Sequence, residues 1–129
     1  MRSLRSVHGA AAVEFALVVP LLLIVLFAIL DLGWVFNQQL TVTAAAREGA
    51  RHYAVHANEA GAQGEAEAIV AGIVPGTPTI TYLSTCSPNV DDDELTMVVH
   101  IPLTDLTGWL DSITGQATLG GQGSMRCGG

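Results

Sequence analysis

The chain contains no lysine. Its 129 residues carry five arginines against twelve acidic groups, a formal charge of −7. Arg2 and Arg5 stand at the very start, and the sequence beyond residue 9 holds 3 basic against 12 acidic residues, a net of −9. Binding to a phosphate backbone rests on lysine and arginine, so nucleic acid is excluded as a partner. Cysteine is scarce too, with Cys86 and Cys127 alone. One pair makes no zinc site unaided. A Gly-rich phosphate loop, a Gly-x-Ser-x-Gly elbow and a plausible catalytic triad are all missing. The sequence therefore reads as non-catalytic and needing no cofactor.

Two weaker metal signals fail on inspection. His52 and His56 are four apart, a helical spacing that suits zinc. Tyr53-Ala54-Val55 between them lacks the glutamate of a metalloprotease motif and no third ligand is evident, so they read as two histidines on a polar edge. Asp91-Asp92-Asp93-Glu94, preceded by Asn89, lacks the alternating ligands and central glycine of a calcium loop. It reads as a solvated turn.

What the chain does have is a long apolar run. Phe15–Leu30 is sixteen residues without a charge, and Gly33-Trp34-Val35-Phe36 continues past Asp31. One helix needs about 20 apolar residues to cross a bilayer, which predicts a transmembrane helix over residues 10–36 interrupted only by Glu14 and Asp31. The lipid bilayer is thus the first expected partner. Arg2 and Arg5 place the amino terminus in the cytoplasm by the positive-inside rule and the acidic remainder outside. Arg47 and Arg51, near the membrane on the far side, oppose that orientation without reversing it. A secretory signal peptide also has a basic start and an apolar run. Its run is shorter and ends in a small-x-small site, whereas this one ends in Asp31-Leu32-Gly33-Trp34.

Glu14 is the oddity within the run. A carboxylate near the apolar phase is costly and marks a partner or a pathway. It lies four residues after Ala10, which follows Gly9. Cleavage between Gly9 and Ala10 would set a new amino group one helical turn from Glu14, where amine and carboxylate neutralise each other within or between subunits.

A short basic leader ending in Gly9, then Glu14 as fifth mature residue followed by Phe15, resembles a type IV-like prepilin processing site. Ala11-Ala12-Val13-Glu14-Phe15-Ala16-Leu17-Val18-Val19-Pro20-Leu21-Leu22-Leu23 and Ala45-Ala46-Arg47-Glu48-Gly49-Ala50-Arg51 are similar to the TadE family of minor pilins or pseudopilins, with a weaker echo in Met125-Arg126-Cys127. The likeness covers roughly the first 55 residues. It implies a non-catalytic subunit of a tight-adherence pilus system, cut after Gly9 by a prepilin peptidase and, by analogy, methylated at Ala10. Its implied partners are that peptidase, other pilus or pseudopilus subunits and the membrane assembly platform. Glu14 and Phe15 would serve assembly. Major tight-adherence pilins are much shorter and lack a head, which favours an accessory or priming role. A bitopic membrane protein that is never processed is the alternative reading, and a secreted protein released by signal peptidase is the third.

The expected organisation is a leader without its own fold (1–9), a membrane helix (10–36), a helical stalk (37–58) and a small α+β head (59–129). Pro20 inside the membrane helix removes a backbone donor, and marks either a local kink or a tolerated transmembrane proline. Asp31 and Trp34 read as outer-interface residues. Along the stalk, Val42, Ala46, Gly49 and Tyr53 form a small apolar face suited to close packing on the chain's own domain or on a neighbour. Arg47, Glu48 and Arg51 form a charged face, either a clasp for another subunit or a solvated salt-bridged surface.

In the head, Glu65–Val74 reads as a helix with acids in its first turn, and Pro75-Gly76-Thr77-Pro78 stops it. Thr79–Leu83 and Leu95–Ile101 read as strands flanking an acidic loop. Leu106–Ile113 fits a short helix or a loop, and Gln116–Cys127 a third strand despite its glycines. A two- to three-stranded antiparallel sheet follows. On an exported domain Cys86 and Cys127 read as a disulfide, a tie of some weight for a core built from only about 70 residues.

Overall fold

The computed structural model describes residues 4–87 and 93–128, with side chains from Gly9 onward. One helix, α1, runs without interruption from Leu4 to Val55 and passes through Pro20. At 1.5 Å per residue its 52 residues extend about 78 Å. Leu4–Gly9 belongs to this helix, whereas the sequence reading gave that leader no fold of its own. Nothing in Leu-Arg-Ser-Val-His-Gly breaks a helix, and adding residues to a formed helix is cheap compared with nucleating one. The expected membrane helix and stalk are thus one element.

The turn at Gly61, whose φ is 96°, starts α2 (Ala62–Ile73). Ala62, Ala66 and Val70, each four apart, form its buried stripe, which packs against the stalk half of α1. Glu65 lies in the first turn, where the helix dipole favours a carboxylate. Pro75 and the positive φ of Gly76 then end the helix.

Three strands follow: β1 (Thr79–Ser84), β2 (Glu94–Pro102) and β3 (Thr118–Arg126), with a short helix α3 (Trp109–Thr114) before the last. The sheet is antiparallel in the order β1-β2-β3. This is the α+β, pilin-like arrangement expected from the sequence, with the full three strands. In the central strand, Leu95, Met97, Val99 and Ile101 alternate into the core and are at most 1% exposed. They meet Val42, Ala45, Ala46, Ala50 and Ala54 of α1 and Val70 and Val74 of α2's end. The small apolar face of the stalk therefore packs on the chain's own head.

Glycine in β3 has a specific use. A Cβ on Gly121 would stand 2.6 Å from the Val42 carbonyl oxygen, and one on Gly123 would overlap the Ala46 carbonyl. Strand and helix backbones touch there, which only glycine permits. Gly49 of α1 instead makes room for side chains: an added Cβ would lie 2.5 Å from Val70 Cγ2 and 3.0 Å from the Met97 sulfur.

Cys86 and Cys127 are joined in a disulfide that ties the segment after β1 to the end of β3. The Cys127 amide donates to the Asp93 carbonyl at 2.9 Å, and the Gly128 amide to the Ala54 carbonyl at 3.2 Å. Of the acidic-loop residues, Asn89, Asp91 and Asp92 lie outside the described residues; the Asp93 carboxylate accepts the Ser87 amide at 3.1 Å.

Candidate functional site: the bare helix and its clasp

The N-terminal half of α1 carries the apolar run and is left uncovered by the head. Its most apolar 18-residue window has no buried residue, and the helix is long and apolar enough to cross a membrane. A helix apolar on every side is stable only against lipid or other protein. Gly9, Ala10, Glu14 and Phe15 all sit on this bare stretch, Phe15 with 72% of its surface exposed. Nothing approaches within 4 Å of the place where Gly9 would carry a Cβ. Ala10 and Glu14, one turn apart, share a face. Among the described residues nothing pairs with the Glu14 carboxylate.

Asp31 has the opposite surroundings. It is fully buried, although it sits among exposed residues of α1. The loop between β2 and α3 folds back onto it. The Leu106 amide donates to Asp31 Oδ1 at 3.1 Å. Oδ2 accepts the Trp109 indole Nε1–H at 2.6 Å and the Thr107 hydroxyl. Two turns further along α1, buried Gln38 gives a second tie: its Nε2 donates to the Thr104 carbonyl at 2.6 Å, and its Oε1 accepts the Thr104 hydroxyl at 3.0 Å. Gln39 Nε2 reaches the Gly120 carbonyl at 2.8 Å. This corrects the reading of Asp31 as a plain interface residue. Its charge is satisfied by the head and is not left to water or headgroups. Partners some 75 residues away in sequence leave no local signal. The available clue was the cost of a carboxylate at the end of an apolar run, which the sequence reading applied to Glu14 alone. Gln38 was missed for the same reason.

Below the clasp, Trp109 and Thr107 share an open apolar groove of about 290 Å³ with Ile24, Phe27 and Ala28 of α1. Twenty-one residues separate Ala10 from Asp31, about 32 Å of helix, close to the ~30 Å hydrocarbon thickness of a bilayer.

On the stalk, Arg47, Glu48 and Arg51 are exposed while Gly49 is buried in the core. Arg51 lies 3.8 Å from Glu48, an exposed pair of little energetic weight. His52 and His56 stack at 4.3 Å between ring centres, and His52 Nε2 lies 3.8 Å from Glu65. On the far side of α2, the Tyr82 hydroxyl donates to Glu67 at 3.1 Å and its ring meets Tyr53 edge-on at 5.7 Å. Burial, then the Glu67 charge, pushes the Tyr82 phenol above its ordinary range.

The bare run, Glu14, the Asp31 anchor and the arginine-bearing stalk all fall in one uninterrupted helical segment. Residues 9–51 match the family model of TadE-like proteins. That match includes Gly9, Glu14, Asp31, Gln38 and Arg47–Arg51, and ends before α2 and the sheet. No curated protein and no solved structure matches the chain. The TadE-like segment is thus joined to a head that the structure alone describes.

Proposed function

We propose that the protein is a minor pilin or pseudopilin of a tight-adherence pilus system, a non-catalytic subunit anchored by α1. A prepilin peptidase cuts after Gly9, and Glu14 then pairs with the Ala10 amine of its own or a neighbouring subunit. Axial register is the role of that pair, as register is the best-attested use of a charge buried among apolar groups. Phe15 and the bare face pack against other subunits and the assembly platform. The head stands on the extracytoplasmic side, and the exposed Arg47, Glu48 and Arg51 meet an acidic or mixed-charge surface of a neighbour.

The observation that carries this reading is the coincidence of the TadE-like match over residues 9–51 with an apolar helix its own head leaves uncovered. An uncleaved bitopic anchor has the same helix but no use for the Gly9–Glu14 spacing. Intact mass of the membrane-extracted protein, with and without a co-expressed prepilin peptidase, separates the two. Peptidase-dependent loss of Met1–Gly9 supports the pilin reading. An unchanged mass beside an active peptidase rejects it and leaves the plain anchor.

A further inference from the structure

The head has an apolar underside at the foot of the clasp. Leu106 is 58% exposed, Trp109 42% and Ile113 71%, all within eight residues of loop and α3. Surface residues this apolar and this close together mark a contact.

Their depth identifies the occupant. Trp109 lines a groove with Ile24, Phe27 and Ala28, which precede Asp31 by seven, four and three residues. At 1.5 Å per residue they lie about 5–10 Å further into the uncharged run than Asp31. If that run is in lipid, a side chain beside Ile24 is in lipid too. Several polar groups that would oppose such immersion are satisfied within the head, while the exposed Asp111 carboxylate has to stay at headgroup level. Three donors from residues 106–109 close around Asp31, and the Asp105 carboxylate accepts the Leu110 amide at 2.7 Å. A carboxylate that accepts three hydrogen bonds costs less to bury than a bare one, although Asp31 has neutral donors and no cationic partner among the described residues.

We propose that Leu106–Ile113 is a membrane-seated foot: Leu106, Trp109 and Ile113 rest among the acyl chains and headgroups of the leaflet on the head's side, held to the span by Asp31. This rests on the reading of α1 as a membrane span. Amphipathic segments bury their apolar face about 5–10 Å into that boundary, similar to the distance by which the groove lies beyond Asp31 along α1. Residues 106–113 include no lysine or arginine and one acid, Asp111, so attachment is apolar and indifferent to anionic lipid and to salt.

The chain's two tryptophans, Trp34 and Trp109, make the test direct. The full chain is placed in phosphatidylcholine vesicles whose acyl chains are brominated near the headgroup, at low protein-to-lipid ratio. Trp34→Phe leaves Trp109 as the reporter, and Trp109→Phe leaves Trp34. Both are expected to be quenched, Trp109 at least as strongly, because it reaches further along the span. Ile113→Glu in the Trp34→Phe background is expected to cut Trp109 quenching at least twofold, while the same change beside Trp34 alone leaves that reporter unchanged. Quenching of Trp34 without Trp109 overturns the foot and keeps the span. Quenching of neither overturns the span and the foot with it. Trp109 quenching unaffected by Ile113→Glu overturns the anchoring role.

Discussion

The indole Nε1 of Trp109 donates to the Asp31 carboxylate at 2.6 Å, across 78 residues of sequence. With the Leu106 amide and the Thr107 hydroxyl it makes a three-donor clasp that fixes the lower edge of the head to one point on α1. Asp31→Ala strands those donors and is expected to destabilise the head by about 2–4 kcal/mol, since unmade buried hydrogen bonds cost about 1–3 kcal/mol each. Asp31→Asn keeps an acceptor and should lose less. Amide exchange at Leu106 is the local readout: faster exchange in Asp31→Ala with β2 still protected is the expected pattern, and unchanged exchange would show the clasp to be idle.

Backbone contact between β3 and α1 predicts a strong asymmetry among glycines. Gly123→Ala pushes a methyl into the Ala46 carbonyl, with backbone on both sides and nothing able to yield. Overpacking of this kind costs about 1–3 kcal/mol or more, read as an earlier denaturation midpoint. Gly72→Ala, in the last turn of α2 with open space around it, should instead stabilise the protein, by no more than about 0.5–1 kcal/mol. Equal effects at the two positions would contradict the close approach.

Tyr82 makes the head sensitive to alkali. A free tyrosine ionises near pH 10, and the folded-state value is raised above that by burial and by Glu67. Between the two values the folded state holds a proton that the unfolded state has lost, so stability falls as pH rises. This contribution is whole below about pH 10 and declines above it. Tyr82→Phe should flatten the alkaline limb of a stability-against-pH curve. A limb of the same slope in the variant would place its origin elsewhere.

The Cys86–Cys127 bond closes a loop with a sequence separation of 41, worth about 3–4 kcal/mol in the chain-entropy model. Cys127→Ser, or reduction, is expected to lower stability by that order, most visibly as loss of protection in β1, an edge strand. A head equally stable under reducing conditions would show the sheet to be self-sufficient.

At the other end of α1, Gly9→Val should block maturation, because a branched side chain replaces the bare backbone before the proposed cut. Glu14→Ala should leave cleavage largely intact and impair assembly. Full assembly of cleaved Glu14→Ala protein would remove the amine–carboxylate pairing from the mechanism.

The elements that sequence reading recovered are those with a local cause. The run from Phe15 to Leu30 has no charge to interrupt it, and β2 alternates Leu95, Met97, Val99 and Ile101. Helix α2 has Glu65 in its first turn and Pro75 just beyond its end, although it starts at Ala62, three residues before the expected Glu65. The disulfide came from a count and a compartment. The third strand was legible only as a guess, because Gly120, Gly121 and Gly123 argue against a strand until the helix backbone they admit is known. Asp31 was misread because its three donors come from residues 106–109, and no local pattern announces a contact that long. Stalk residues divided along the same line: small Gly49 is explained by packing, whereas exposed Arg47, Glu48 and Arg51 await a partner.

The seam between β3 and α1 has an angular consequence. Side chains interposed between two elements let one roll a little against the other; at Gly121 and Gly123 there are none to roll on. Further down, Asp31 and Gln38 hold the same helix from the head's lower edge, and α1 is unbroken from one end to the other. The head is therefore keyed to its shaft. A rotation of α1 at this seam carries the head with it and sets the compass direction in which its sheet faces.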